Sequence, residues 1–422
     1  MKVYKFGGAS VRNADGVRNL RHIVDGEQEL FIIVSAMGKT TNALERVFAH
    51  IQNGRKAEAQ EEIASIKSYH TEIIDDLWNG EHQEIFAVNK LFAELSGLAE
   101  NAVYRKADAE LWYDTIVAYG ELISTTIISH YLNYTSVPNR WIDMRTTFVT
   151  SPRHKDANVD IRTSALRLRS ALQNTGVGVF VGQGFIGSAP DGTTTTLGRE
   201  GSDYSAAVVA NILNAESMSV WKDVDGVLNA DPKIFKDAVK IDALSYLDTI
   251  ELAYSGAQII HPKTIKPLQN KNIPLYVRPF GDKTKPGTVI NSQTEHVTLP
   301  IMIYKRDLVL LIIRSKDFSF VMGEKFGVIF SLLDSFRIKT HLINNSAVDL
   351  GLCVDASWHI DELIKALEEE DFQVEKIDNV GLLTIRNYNP DLYKRYVTDQ
   401  KSIVRQVNPE SVRVVLREPN FE

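Results

Sequence analysis

One cysteine, Cys353, is all that this 422-residue chain holds, so no internal disulfide can form and a reducing compartment is expected. Long apolar runs are scarce too. Stretches such as Leu308-Val309-Leu310-Leu311-Ile312-Ile313 fall far short of the roughly 20 residues that a membrane helix needs. Positive charge is not in excess: 47 Lys and Arg stand against 54 Asp and Glu, a formal net charge of -7. With no long basic run, this excludes a broad nucleic-acid surface and leaves only local phosphate contacts. A secretory pattern is missing, because Lys2 and Lys5 bracket only two apolar residues before glycines begin. The phosphate loop GxxxxGK[ST] is absent as well, which excludes that NTPase fold. What is present, 44% hydrophobic and 24% charged residues, is an ordinary globular composition with room for two or three domains. A cytoplasmic protein with neither membrane nor nucleic-acid partners is expected.

The stretch from Gly182 to Asp203 organises the rest. It contains Gly182-Gln183-Gly184-Phe185-Ile186-Gly187, a formal match to the dinucleotide fingerprint GxGxxG. That fingerprint requires a helix to open at once. Here Pro190, Asp191-Gly192 and four threonines follow, and all oppose a helix. The helix signal arrives only at Ser202-Asp203, where a capping residue precedes the apolar run Tyr204 to Leu213.

Upstream, Lys2 to Phe6 and Leu30 to Val34 read as strands, each ending in a glycine- or hydroxyl-rich loop followed by a helix. Continuous apolar strands alternating with helices imply an α/β fold with a mostly parallel central sheet sandwiched by helices. Such sheets bind ligands at the carboxyl ends of their strands. Residues 43–135 read as helical, in segments Ala57 to Trp78, Gln83 to Leu98 and Leu111 to Leu132. The last holds Gly120-Glu121, and a glycine inside a helix points to the close approach of another group. Strands are expected around Asn139 to Asp143, Val177 to Val181, Ser217 to Trp221 and Ile273 to Val277. His261, before Pro262, reads as a helix-end cap or a ligand. The composition shift from Asp282 to Pro300 reads as a linker. It divides a first domain, 1–296, from a region of weakly repeated α+β units of βαββ pattern, 297–422, with units at about 301–378 and 379–422. The first unit is read as ending in a strand, Phe372 to Ile377, and the second as opening with another, Gly381 to Arg386, followed by a helix from Asp391 to Lys401.

Read from residue chemistry alone, the strand-end loops with Lys5, Arg199, Asp203 and Asp223 make a polyphosphate cradle. Phosphoryl transfer is the natural reaction, since it needs positioning and charge neutralisation more than a covalent nucleophile.

Five segments, Lys5-Phe6-Gly7-Gly8-Ala9-Ser10, Val34 to Asn42, Gly120-Glu121, Gly182 to Gly187 and Leu197 to Tyr204, together resemble the aspartate kinase family. Trp221 to Gly226, Asp231-Pro232 and Gly256 to Pro262 continue the likeness in order across the first domain. The tail is similar to that family's paired ACT domains. The resemblance implies an amino acid kinase-like catalytic domain that transfers the ATP γ-phosphoryl group to the β-carboxylate of L-aspartate. Lys5 would lie against the transferring phosphate and Gly7, Gly8 and Ser10 would face it, with Mg²⁺ bridging phosphate oxygens rather than held by a protein metal site. Ser35, Thr41 and Ser202 would line the substrate pocket, Arg199 would grip a carboxylate and Glu121 would hold the α-ammonium. Asp203 would orient Lys5 or the substrate. Lys222, Asp223, Leu228, Lys233, Gln258 and Ile259 would surround the nucleotide. An amino-acid effector at the tails is a further implication. A homodimer through the tails is expected on other grounds, because isolated βαββ units present a bare sheet edge that pairing would cover. Departures stand at Ala9, Leu228 and Gln258, where many relatives carry threonine, tyrosine and lysine, and at Glu200 in place of a common glycine. His341 stands where lysine-sensing members often carry an acid. Two alternatives remain open: a kinase acting on glutamate or an N-acetylated amino acid, and an amino-acid sensor whose kinase domain has decayed.

Overall fold

Leu30-Phe31-Ile32-Ile33-Val34 has no polar position to turn toward water, so a strand built from it must be covered on both faces. In the computed structural model all five residues are buried. The structure describes every residue except 81–84, 258, 259, 296, 318–320, 322, 399–401, 418–420 and 422. Two compact units emerge, one of residues 1–227, 241–250 and 259–296, the other of 228–240, 251–258 and 297–422.

The first unit is built on an eight-stranded sheet. β1 (Lys2–Phe6), β2 (Leu30–Val34), β4 (Val179–Gln183) and β3 (Asn139–Ile142) lie in that order, all parallel. On the other side of β1 come β7 (Met218–Lys222), Leu275–Pro279, Thr288–Asn291 and Ala243–Ser245. Only the pair Leu275–Pro279 and Thr288–Asn291 runs antiparallel. Phe6 is level with Val34 and Trp221, and Val34 with Gln183. The loops after β1, β2, β4 and β7 therefore open on one edge. Helices cover the sheet: α1 (Ala14–Val24), α2 (Thr40–Gln52), α3 (Lys56–Leu77), α4 (Ile85–Glu100), α5 (Ala109–Tyr134), α6 (Met144–Thr147), α7 (Ile161–Leu172) and α8 (Gly201–Leu213). The expected α/β sheet and long helices are present, within a few residues at their ends.

Gly120 sits inside α5, and the close approach it signalled is packing. A Cβ there would lie 2.8 Å from the Ala36 Cβ and 3.3 Å from Leu44 Cδ1. The loop after β2 is thus pressed onto the helix turn that carries Glu121.

Three local expectations are corrected. α8 begins at Gly201, so Ser202 lies inside its first turn and is not the cap. Glu200 occupies the N-cap at φ 54°, with no side-chain cap bond. The helix starts early because the chain must turn tightly against Phe185, whose Cδ2 would stand 2.7 Å from a Cβ at Gly201. Secondly, the stretch read as linker contains the strand Thr288–Asn291. The buried Thr288 hydroxyl donates to the Ile241 carbonyl at 2.5 Å and accepts from the Val227 N–H at 2.8 Å. Thirdly, His261 caps the start of the helix Pro262–Gln269, its ring nitrogen accepting from Lys263 N–H. The threonine run forms β6 (Thr194–Thr196), antiparallel to β5 (Ile186–Ser188), with Thr195 and Thr196 buried.

The second unit holds a six-stranded antiparallel sheet in the order Thr340–Asn345, Asp349–Asp355, Ile301–Ser315, Phe372–Arg386, Ser411–Arg417, Ser402–Val407. Sequence separated Phe372 to Ile377 from Gly381 to Arg386, whereas the structure joins them in one 15-residue strand paired with the equally long Ile301–Ser315. The pairing is irregular where Asp307 and Asn379 adopt positive φ of 57°; Asp and Asn tolerate that conformation, so the strands bend without breaking. Residues 301–305 pair with 382–386, so the second repeat borrows its first strand from ahead of the first repeat. Of the helix expected at Asp391 to Lys401, the described part is Pro390–Tyr393 and a π-helical turn, Lys394–Thr398, while 399–401 lie outside the described residues. Cys353 is buried here and burial pushes its thiol up to about 12, an inert packing role. Among the described residues no helix is long and apolar enough to cross a membrane.

Candidate active site

Lys5, near the end of β1, is only 8% exposed. Its Nζ lies 2.6 Å from Asp203 Oδ1 in the first turn of α8, and Lys222 Nζ at the end of β7 lies 3.8 Å from Asp203 Oδ2. Burial pushes the Asp203 carboxyl up, but the charges of Lys5 and Lys222 outweigh burial and hold it below the usual carboxylate range. Two cations facing one carboxylate leave an electropositive strand end. Beside it, the amide groups of Gly8 and Ala9 have no acceptor among the described residues. Orphan amides next to a lysine fit the oxygens of a phosphate.

Glu121 approaches the same space from α5. Its Oε1 accepts the Ala36 N–H at 3.2 Å, while Oε2 is buried without a partner. Burial pushes this carboxyl up to about 8, against the opposing pull of the Ala36 N–H and the Lys5 charge. A buried acceptor lacking a donor is costly to leave unmade, and a ligand cation satisfies it.

These groups line a cavity of about 520 Å³ together with Ser35, Thr41, Arg199 and Ser202. All five residues expected to bind substrate, and Lys5, Asp203 and Lys222, are thus brought together. Arg199 pairs with neither Asp203 nor any other described residue and is exposed at the cavity wall. Glu200 is explained: its Oε2 accepts the His261 backbone N–H at 3.0 Å, a job glycine has no side chain to do.

The nucleotide set is less well assembled. Gly7 adjoins Lys5, since a Cβ on it would stand 3.7 Å from Lys5 Nζ. Ser10 is buried, with its hydroxyl toward the Trp221 carbonyl at 3.5 Å, because the turn folds back on β7. Asp223 does not line the cavity, and neither do Leu228 and Lys233, which belong to the second unit. Gln258 and Ile259 lie outside the described residues. Sequence reasoning missed Tyr113, Lys155 and Phe185, which also line the cavity. Phe185 sits within Gly182 to Gly187, where the glycines carry the motif; Tyr113 and Lys155 carry no motif signal. Among the described residues no three His, Cys, Asp or Glu side chains gather to hold a metal ion.

Residues 1–279 match the model of the amino acid kinase family. The chain belongs to the amino acid kinase family. Within that family it is 31% identical over 360 residues to lysine-sensitive aspartokinase 3 of Escherichia coli (strain K12), covering 84% of this chain and 78% of the relative. It is 32% identical over 302 residues to the bifunctional aspartokinase/homoserine dehydrogenase 1 of Zea mays, which is chloroplastic, covering 69% of this chain and 32% of that protein. This amino acid kinase therefore spans about a third of the length of the bifunctional plant relatives it matches. Among solved structures, E. coli aspartokinase III in complex with aspartate and ADP superposes with a TM-score of 0.81 at 26% identity, over 99% of this chain and 96% of the other. The same enzyme with lysine and aspartate gives 0.79 at 27% identity, with the same coverage.

Proposed function

We propose that this chain is an aspartate kinase, transferring the ATP γ-phosphoryl group to the β-carboxylate of L-aspartate to give 4-phospho-L-aspartate, the first step toward lysine, threonine and methionine. The observation that carries the reading is the unpartnered, buried Oε2 of Glu121 in one cavity with Arg199 and the Lys5–Asp203–Lys222 cluster. A free α-ammonium satisfies Glu121; an N-acetylated substrate brings no cation to it. The aspartate and ADP bound in the E. coli aspartokinase III structure support the same reading. The intact cluster weighs against a decayed kinase.

The acceptor carboxylate is ionised at neutral pH, so no general base is needed. What must be overcome is repulsion between two anions. Lys5, held by Asp203, places a buried positive charge where the phosphoryl group passes, and Lys222 adds a second. Arg199 grips the other carboxylate, and Glu121, reinforced by Ser35 and Thr41 along the wall, fixes the amino end. Together they orient the β-carboxylate toward the strand ends. Mg²⁺ entering with ATP supplies further neutralisation of phosphate oxygens.

Incubation with ATP, Mg²⁺, L-aspartate and hydroxylamine should trap aspartyl hydroxamate, with little product from L-glutamate or an N-acetylated amino acid. A yield no higher than that of Arg199→Ala overturns the proposal. The second unit is read as a regulatory region for an amino-acid effector, and the same assay with lysine, threonine and methionine, singly and mixed, identifies it. His341 there is already engaged, with its Nε2 2.6 Å from Lys305 Nζ and 2.8 Å from Asp355 Oδ1.

A homodimer through this unit is also proposed, in a cytoplasmic setting. The sheet edge first expected to be bare is partly covered within the chain, because Arg413 and Gln406 donate to the carbonyls of His341 and Ile343. Support comes from apolar side chains left exposed near both edges, Ile343, Val348, Ile403 and Val407. Light scattering should give a dimer mass; a monomer mass at all concentrations refutes it.

A further inference from the structure

Lys155 lines the same cavity as Arg199 and Glu121, yet no part of the preceding mechanism uses it. Its backbone lies at φ 65°, a region that suits glycine and strains a residue with a Cβ. The conformation is held by Asp114, which is fully buried. Asp114 accepts the Lys155 N–H, at 3.0 Å to Oδ2 and 3.2 Å to Oδ1, accepts the Thr196 hydroxyl at 2.6 Å and meets His154 Nδ1 at 2.9 Å. One buried carboxylate thereby joins α5, which carries Glu121, to β6, which leads to Arg199, and to the turn that presents Lys155.

The Lys155 ammonium rests 4.3 Å from the centroid of the Tyr113 ring, and the Tyr113 hydroxyl donates to Glu45 Oε1 at 2.7 Å. An aromatic face holds a cation in place without consuming its N–H donors. No carboxylate among the described residues pairs with this ammonium.

Resting on the reading that the cavity takes L-aspartate, we propose that Lys155 determines specificity as a second cation, beside Arg199, for the carboxylate that is not phosphorylated. It favours a dicarboxylic amino acid over one whose α-carboxyl group is neutral.

The test uses the full chain, with Lys155→Gly and Lys155→Arg, and compares L-aspartate with its α-amide as acceptors. Lys155→Gly should raise KM for L-aspartate about tenfold, the loss of one charge-assisted contact, and change KM for ATP less than about twofold. Its Tm should be no lower than that of the wild type, since glycine relieves the positive φ. Lys155→Arg should recover most of the affinity for L-aspartate. With the α-amide, wild type and Lys155→Gly should be indistinguishable. An unchanged KM for L-aspartate in Lys155→Gly, or an equal loss on both acceptors, overturns the proposal. A wild type that phosphorylates no aspartate overturns the functional reading and this one with it, whereas an active wild type with unresponsive variants overturns this one alone.

Discussion

Lys5→Met is expected to lower kcat by roughly 10³-fold, the scale for removing one preorganised charge from the position where charge moves in the transition state. KM for L-aspartate should change far less, because Arg199 and Glu121 remain. The variant should also lose stability, by about 3 kcal/mol, since Asp203 is left buried with Lys222 at 3.8 Å as its one remaining cation among the described residues. Rate and stability can be separated. Adding Asn at position 203, in Lys5→Met/Asp203→Asn, removes the uncompensated charge and should return the Tm toward the wild-type value while the rate stays low. Recovery of the rate in the double variant would mean that Lys5 serves the fold and not the phosphoryl group.

Glu121→Gln should raise KM for L-aspartate roughly 100-fold, because a charged hydrogen bond in a buried site gives way to a neutral one. KM for ATP should hardly move. The wild type should also show a pH dependence that this variant lacks. Only the ionised carboxylate pairs with an ammonium, and burial pushes the Glu121 carboxyl up to about 8 in the free protein. Aspartate affinity should therefore rise about 50-fold from pH 6 to pH 8 and level off above that. The stability of the unliganded protein runs the other way. The folded form keeps this proton up to about pH 8, whereas the unfolded chain releases it near the ordinary value of 4.5. Stability is therefore lost as pH rises through that window, by up to roughly 1.4 kcal/mol per pH unit from this group. The difference between wild type and Glu121→Gln in thermal unfolding isolates it, and parallel pH profiles for the two proteins would refute the assignment.

The parts of this site legible in the sequence are those fixed to regular elements by short offsets. Lys5 precedes a glycine turn at a strand end, Glu121 follows a glycine inside a long apolar helix, and Asp203 opens a helix. Each is announced by the local pattern, and the register of β1, β2, β4 and β7 carries all the loops to one edge. Tyr113 and Lys155 were not legible, since nothing in a Trp-Tyr-Asp stretch or an Arg-His-Lys-Asp stretch marks a cavity wall. They come to the site through Asp114, 41 residues from Lys155 and 82 from Thr196. The contact of Ser10 was not legible for a related reason: a hydroxyl in a glycine-rich loop signals a phosphate contact, and its place beside the Trp221 carbonyl follows only from the fold.

Hydrophobic periodicity and turn chemistry by themselves determined the α/β class, the order of the strands and helices that carry Lys5, Glu121 and Asp203, and the strand-end location of the site, because these depend on neighbours within a few residues. Tertiary structure alone decided that Gly120 serves packing, that α8 starts at Gly201, that residues 301–305 complete the second repeat and that Glu121 keeps a buried oxygen without a partner. Each of those depends on burial or on contact between residues far apart in the chain, which local sequence does not encode.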